Sequence, residues 1–329
     1  MESGHFNYFR VKNFKRFRDL EVKDIGQFNL VLGDNNVGKT SLLEALLFEV
    51  NFKSFERSLT QILKIRDMYD GLREDVFQLF QNVNSSDSSM TFEFSLDREK
   101  YEVNYLFDFE KSKVMVSSQL SQSGIVEFPL ETIHNDIQIP FIPFSLSYGK
   151  DMFDDFSKFL LRKEKNRKEI IESLKIIHPS IKNIEVDTYQ STSHPTLRCF
   201  FDGSESVSMG FLGDGVTKLF RILLEVTKYE FGILLIDEID TGIHHSRMVE
   251  FWKGIIKHSS KKHLQLFATT HNRECIQAYQ EALEELGENY LSAARTISLK
   301  EHPETRDVIA FTNGIEVLQY ANETGNDLR

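Results

Sequence analysis

Eight consecutive residues, GDNNVGKT from Gly33 to Thr40, fill every position of the pattern G-x-x-x-x-G-K-[ST]. The chemistry served by that spacing is capture of a nucleoside triphosphate. Gly33 and Gly38 permit turns that a Cβ would obstruct. The backbone N–H groups of Asn35, Asn36, Val37 and Gly38, together with the helix start at Lys39, Thr40 and Ser41, converge on one phosphate-sized spot. Lys39 is expected to reach the β- and γ-phosphates and the Thr40 hydroxyl to ligate Mg²⁺.

Two further stretches supply the rest of a phosphoryl-transfer site. GILLIDEID, Gly232 to Asp240, has the Walker B form, an apolar strand ending in adjacent carboxylates. Asp237 is expected to hold Mg²⁺ through water, hard oxygen to hard cation. Glu238 is placed to accept a proton from the attacking water. HLQLFATTHN ends in Thr269, Thr270 and His271. If it forms the neighbouring parallel strand, His271 reaches the same sheet edge and can contact the γ-phosphate.

These residues need strands that deliver them and helices that cover the strands. QFNLVLG reads as a short buried strand before the glycine loop and SLLEALLFEV as the helix after it. HFNYFRVKNF and FRDLEVKDIG read as two leading strands. MTFEFSL and KYEVNYLFDF alternate apolar and polar residues as half-buried antiparallel strands do. Helical spacing marks 52–83 and 151–177, the latter with a charged midsection, LRKEKNRKE, read as a solvated arm or helix face. KNIEVDTYQ and TLRCFFD look like strands, and VTKLFRILLEV and RECIQAYQEALEEL look like helices. Apolar strands alternating with helices indicate a parallel sheet covered on both faces. The expected fold is therefore α/β. An N-terminal lobe spans 1–150, a helical insertion 151–180 and a C-terminal lobe 181–329, the lobes forming one domain.

Composition excludes little but is consistent. A net charge of −11 over 329 residues argues against coating by nucleic acid through bulk charge and leaves room for a local basic patch. No apolar run approaches the roughly 20 residues that span a bilayer. The N-terminus has no signal-peptide pattern, and two cysteines without metal-like spacing suit a reducing cytoplasm.

IDEID…GIHHS followed by ATTHN resembles the Walker B, D-loop and switch-histidine series of ATP-binding-cassette ATPases. VKNFKRFRDLEVKDIGQFNLVLGDNNVGKTSLLEALL resembles their branch containing structural-maintenance-of-chromosomes proteins and the overcoming-lysogenization-defect (OLD) family. That resemblance implies a P-loop ABC-type core with a mixed and parallel sheet, ATP and Mg²⁺ as ligands, and a homo-oligomer, at least a dimer. ATP would lie between one subunit's P-loop and the other's signature motif. LGDGV, with Leu212, Gly213, Asp214 and Gly215, stands where the family has Leu-Ser-Gly-Gly-Gln, and Asp214 departs from it by placing a carboxylate near the phosphate. Ser208-Met209-Gly210 is the rival position. His244 and His245 fall where a D-loop would cross the interface. Lys39 and Asp237 stand 198 residues apart, more than a compact cassette needs, yet no heptad arm fills the space. With 58 residues after His271, the Toprim nuclease of many OLD-like proteins is not expected here.

The resemblance further implies a cytoplasmic ATPase controlling a separate effector, a nuclease or toxin, in anti-phage defence. A non-hydrolysing ATP-gated scaffold is the alternative favoured by the odd signature. A DNA-end sensor is a third, since Arg10, Lys12, Lys15, Arg16 and Arg18 interleave with Phe9, Phe14 and Phe17; strand alternation equally sends those phenylalanines inward. A transporter motor fits the spacing and the signature least.

Overall fold

Three mostly apolar runs, 28–32, 232–236 and 264–269, are strands buried on both faces, and their period-two alternation feeds two separate cores. Phe28, Leu30, Leu32, Leu234, Ile236, Leu264, Leu266 and Ala268 enter one. Val31, Ile233, Leu235 and Phe267 enter the other. The computed structural model describes residues 5–48, 58–59, 61–63, 80, 82, 89–96, 99–108, 113–118, 124–127, 141–143, 150–161, 163–175, 177–187, 196–203, 206–229 and 232–324. Most of the helical stretch expected at 52–83 lies outside them.

The elements follow in chain order as β1 (Phe6–Phe14), β2 (Phe17–Val22), β3 (Phe28–Leu32), α1 (Lys39–Ala45), β4 (Ser89–Leu96), β5 (Glu99–Asp108), β6 (Lys113–Ser118), β7 (Gly124–Glu127) and β8 (Phe141–Ile142). Then come α2 (Lys150–Phe159), α3 (Glu164–Leu174), β9 (Ile181–Asp187), β10 (Thr196–Phe201), β11 (Val207–Ser208), α4 (Asp214–Lys228) and β12 (Gly232–Ile236). The chain continues through α5 (Met248–Lys261), β13 (Leu264–Thr269), α6 (Arg273–Leu286), α7 (Glu288–Ala293), β14 (Ala294–Glu301), β15 (Val308–Asn313) and α8 (Ile315–Thr324).

The central sheet has the order β15-β14-β3-β13-β12-β8. Its five strands from β14 to β8 are parallel, and β15 closes the edge antiparallel. This α/β sheet carries an antiparallel layer, β2-β1-β4-β5-β6-β7, on one face. Phe14, Phe48, Phe92 and Tyr105 fill the space between, with Phe48 stacked on Phe92 at 4.8 Å between ring centres. A buried polar tie joins the layers: Gln265 of β13 accepts from the Phe6 N–H at 2.8 Å and donates to the Phe6 carbonyl at 2.7 Å. The other face is covered by α4, α5 and α6, with Trp252 donating to the Cys275 carbonyl at 3.2 Å.

Two features depart from the strand pattern expected of the sequence. β9 and β10 do not join the parallel sheet; with β11 they form a separate antiparallel sheet of three strands. β14 and β15, which no motif marks, extend the central sheet and place β14 beside the P-loop strand. The helices α2 and α3 set Met152, Phe156, Leu160, Ile170, Ile171 and Leu174 into the core beside α4, while Lys163, Glu164, Lys165 and Lys168 of the charged midsection face outward.

Both cysteines are buried, and burial pushes the Cys199 and Cys275 thiols up to about 12. Neither should react with an aromatic disulfide reagent in the native protein near pH 8, while both react once the chain is denatured. A prompt thiol equivalent from native protein would contradict this packing.

Candidate nucleotide-binding site

The sheet order sets the geometry. β13 follows β12 in the chain but lies between β12 and β3, with Ile236 opposite Ala268 and Thr269 opposite Val31. The P-loop, the Walker B carboxylates and the Thr-Thr-His end of β13 therefore emerge along one edge, where ligands of open α/β sheets collect.

The loop is held open by backbone conformation. Gly33 has φ +144° and Gly38 φ +117°. A Cβ on Gly38 would lie 2.9 Å from the buried Phe17 ring. Asn36 is also left-handed, at φ +64°, and Arg16 from the β1–β2 turn donates to its carbonyl. Lys39 arches back over the loop, Nζ donating to the Gly33 and Asp34 carbonyls at 2.7 and 2.9 Å. Beside the loop a cavity of about 400 Å³ opens between Arg16, Asp34, Asn35, Val37, Leu299 and Glu301.

The three elements meet at Asp237, which is only 7% exposed. Thr40 Oγ1 donates to Asp237 Oδ2 at 2.9 Å, and Thr269 Oγ1 donates to Oδ1 at 2.6 Å. Thr269 Oγ1 in turn accepts from the Glu238 N–H at 2.8 Å. Thr270 Oγ1 donates to Asp240 Oδ1 at 2.6 Å and accepts from the Asn272 N–H at 3.0 Å. The Asn272 side chain caps α6 by accepting from the Glu274 N–H, and between these two anchored residues His271 stands half-buried. Glu238 is half-buried and holds φ +45°, a conformation that costs a non-glycine residue about 1–3 kcal/mol. Its carbonyl accepts from the Lys218 ammonium and from the Thr241 N–H. Lys218 is 4% exposed; burial pushes its ammonium down to about 8 against the opposing pull of Asp240, Glu238 and Asp237.

A hydroxyl and a carboxylate converging on one point, both hard oxygen donors, suit Mg²⁺, and so few protein ligands leave most of its shell to water and phosphate oxygens. Thr40 and Asp237 are the residues that would hold it.

The signature segment sits elsewhere. Gly213 caps α4 at φ +85°, and Asp214 is exposed in the first turn. A Cβ on Gly215 would lie 2.6 Å from the Gly242 carbonyl, so the helix start rests directly on the Thr241–Ile243 corner that follows Walker B. The rival Ser208-Met209-Gly210 runs into a short 3₁₀ turn with Met209 buried and Phe211 86% exposed. His244 and His245 are exposed, their rings 4.2 Å apart, and His244 caps the turn that follows by accepting from the Ser246 N–H. Leu212 is partly buried against the core.

Three residues of this constellation make contacts that the sequence motifs do not assign. Thr269 is signalled by its place as the last residue of a fully buried strand. Lys218 gives no comparable signal, because it looks like an ordinary surface cation, whereas Arg16 stands in the N-terminal run of cations interleaved with phenylalanines.

A family described as "AAA domain, putative AbiEii toxin, Type IV TA system" matches residues 28–274, and the chain belongs to it. It is similar to an ATP/GTP phosphatase of Helicobacter pylori, 23% identical over 97% of this chain and 98% of that protein. Among solved structures it resembles the SMC head bound to the C-terminal winged-helix domain of ScpA, with TM-score 0.61, 11% identity, and coverage of 96% of this chain and 99% of that one. An SMC head with an extended coiled coil bound to the C-terminal domain of ScpA, derived from Pyrococcus furiosus, gives TM-score 0.61 at 10% identity over 97% and 99%. The chain is a P-loop ATPase, and its fold is that of the SMC head.

Gly38→Ala should weaken Mg-ATP binding about tenfold, the equivalent of the 1–2 kcal/mol needed to force a side chain into a left-handed conformation. Titration with a fluorescent ATP analogue, alongside an unchanged circular dichroism spectrum, checks it. Wild-type affinity in the variant would show that the loop does not hold the phosphates.

Proposed function

We propose that this chain is a cytoplasmic Mg-ATPase that dimerises on ATP and works through a separate effector protein. The observation that carries this reading is the double donation to Asp237: Thr40 and Thr269 lock the P-loop, Walker B and switch strands into one constellation. Lys39 and the loop amides bind the β- and γ-phosphates, with Gly33, Asn35, Asn36, Val37, Gly38, Thr40 and Ser41 as the cradle. Mg²⁺, when bound, neutralises charge on those phosphates. Glu238 orients the attacking water and takes its proton. His271, at the end of the same central strand, contacts the γ-phosphate and registers its loss. The cavity beside Arg16 takes the base side of the nucleotide.

The start of α4, Leu212 to Gly215, is proposed to cap the nucleotide of a second copy. The N–H groups at the helix start favour a phosphate there; the exposed Asp214 opposes one and slows closure. A partner protein is supported by the family's description, which names a toxin–antitoxin system, and by SMC heads captured with ScpA domains. Control of a toxin or nuclease in anti-phage defence, as the OLD resemblance implies, is the setting that fits both. Direct sensing of DNA through the N-terminal cations is less favoured. Arg10 pairs with Asp19, Lys12 with Glu93, Lys15 with Glu44, Arg16 with Glu301 and Arg18 with Asp307, while Phe9, Phe14 and Phe17 are fully buried.

Turnover of Mg-ATP and Mg-GTP by the wild type and Glu238→Gln, with light scattering in parallel, tests this. The variant should lose roughly 10²- to 10⁴-fold in kcat, bind ATP as tightly, and accumulate as a dimer. A wild type that binds ATP and never hydrolyses it would leave the gated scaffold in place of the enzyme cycle.

A further inference from the structure

We propose that Lys218 is a positioning residue for hydrolysis: from the second turn of α4 it fixes the peptide that presents Glu238 and ties that residue to the helix opened by Gly213–Gly215. The inference rests on the reading of Glu238 as the base. Glu238 leaves the strand in a left-handed conformation without being glycine, so something must hold it there. Both backbone polar groups of the residue are anchored: the N–H donates to Thr269 Oγ1 at 2.8 Å, and the carbonyl accepts from Lys218 Nζ and from the Thr241 N–H at 3.1 Å. Thr241 belongs to the same corner and moves with it. Thr269 and Lys218 come from other elements, the central strand and the signature helix.

Lys218 sits where an apolar side chain would be the inexpensive choice. Every residue from Gly215 to Val226 is buried, and a buried ammonium is costly unless its hydrogens and charge are both used. Here one hydrogen goes to the Glu238 carbonyl, and the charge faces Asp237, Glu238 and Asp240. A methionine would fill the space but could not donate.

The helix that carries Lys218 is itself fixed at both ends. Gly215 rests against the Gly242 carbonyl. At the far end of the helix, Lys228 pairs with Asp155 of α2 at 2.7 Å and with Glu225 at 2.8 Å, and Glu225 also meets Arg221 at 3.1 Å. A shift of the α4 N-terminus, such as docking on a second copy would cause, is therefore passed to the Glu238 peptide of the same chain without a flexible link between them.

The test compares Lys218→Met and Lys218→Arg with wild type in steady-state Mg-ATP turnover, in binding of a fluorescent ATP analogue, and in crystal structures. Lys218→Met should lose roughly 10- to 100-fold in kcat, the penalty of a misplaced catalytic group, while nucleotide affinity stays within about threefold. Its Glu238 should leave the left-handed region. Lys218→Arg, which keeps a buried donor, should recover part of kcat. Unchanged kcat in the Met variant, or kcat, affinity and melting temperature all falling together, would overturn the assignment, as would a Met variant whose Glu238 stays left-handed. A wild type that binds but does not hydrolyse fails in its own arm and removes the base reading, whereas a hydrolysing wild type with an indifferent Lys218 removes only this proposal. Should Lys218→Met be insoluble, Lys218→Gln is read by the same criteria.

Discussion

Asp237 is where three lengths of chain that are far apart in sequence become one site. Its two oxygens accept from Thr40 and Thr269, so the carboxylate is buried without being left unsatisfied, which an isolated one could not afford to be. Two hydroxyls, rather than two cations, complete it. Hydroxyls can turn from donor to acceptor as a cation and a triphosphate enter, whereas a guanidinium in the same place would compete with Mg²⁺ for the carboxylate permanently. The rest of the fold is what brings these oxygens together: β13 has to lie between β3 and β12, and both faces of all three strands have to be covered.

That covering explains the phenylalanine-rich sequence. A strand buried on both faces needs two apolar layers, and here the layers differ in kind: an antiparallel sheet on the P-loop side, helices on the other. Between two sheets, aromatic rings span the gap with few rotatable bonds, as the Phe14, Phe48, Phe92 and Tyr105 cluster does. The buried Gln265 side chain is matched to both backbone groups of Phe6.

The P-loop, Walker B and switch strand were legible because each needs particular residue types at fixed spacing beside a strand whose apolar run announces burial. The boundaries of α6 were legible from 3.6-residue periodicity, and those of α4 to within two residues at each end. Less accessible were features that depend on which surface meets which. β14 reads ISL between charged residues and carries no turn signal like that of the glycine loop, so only pairing with β3 reveals it as a core strand. β9 and β10 alternate as sheet strands do, but alternation does not say which sheet they join. The five N-terminal cations looked available for phosphate until their carboxylate partners, drawn from residues 19 to 307, appeared beside them.

The polar stripe of α4 shows the same limit in its strongest form. Lys218, Arg221, Glu225 and Lys228 recur at the spacing of one helix face, and in sequence such a stripe reads as the face turned to water. In the fold, the first three are under one-tenth exposed and Lys228 is mostly covered. A hydrophobic period marks which residues share a face and not what lies over that face. What lies over this one is polar and specific: the Walker B corner at one end and Asp155 of α2 at the other. A stripe solvated by water would let the helix slide. A stripe tied to other elements at both ends, by Lys218 to the Glu238 carbonyl and by Lys228 to Asp155, permits only a small number of registers, because a displacement large enough to break either contact leaves a buried charge unsatisfied. Few registers with steep penalties between them are what turns a local contact into a switch.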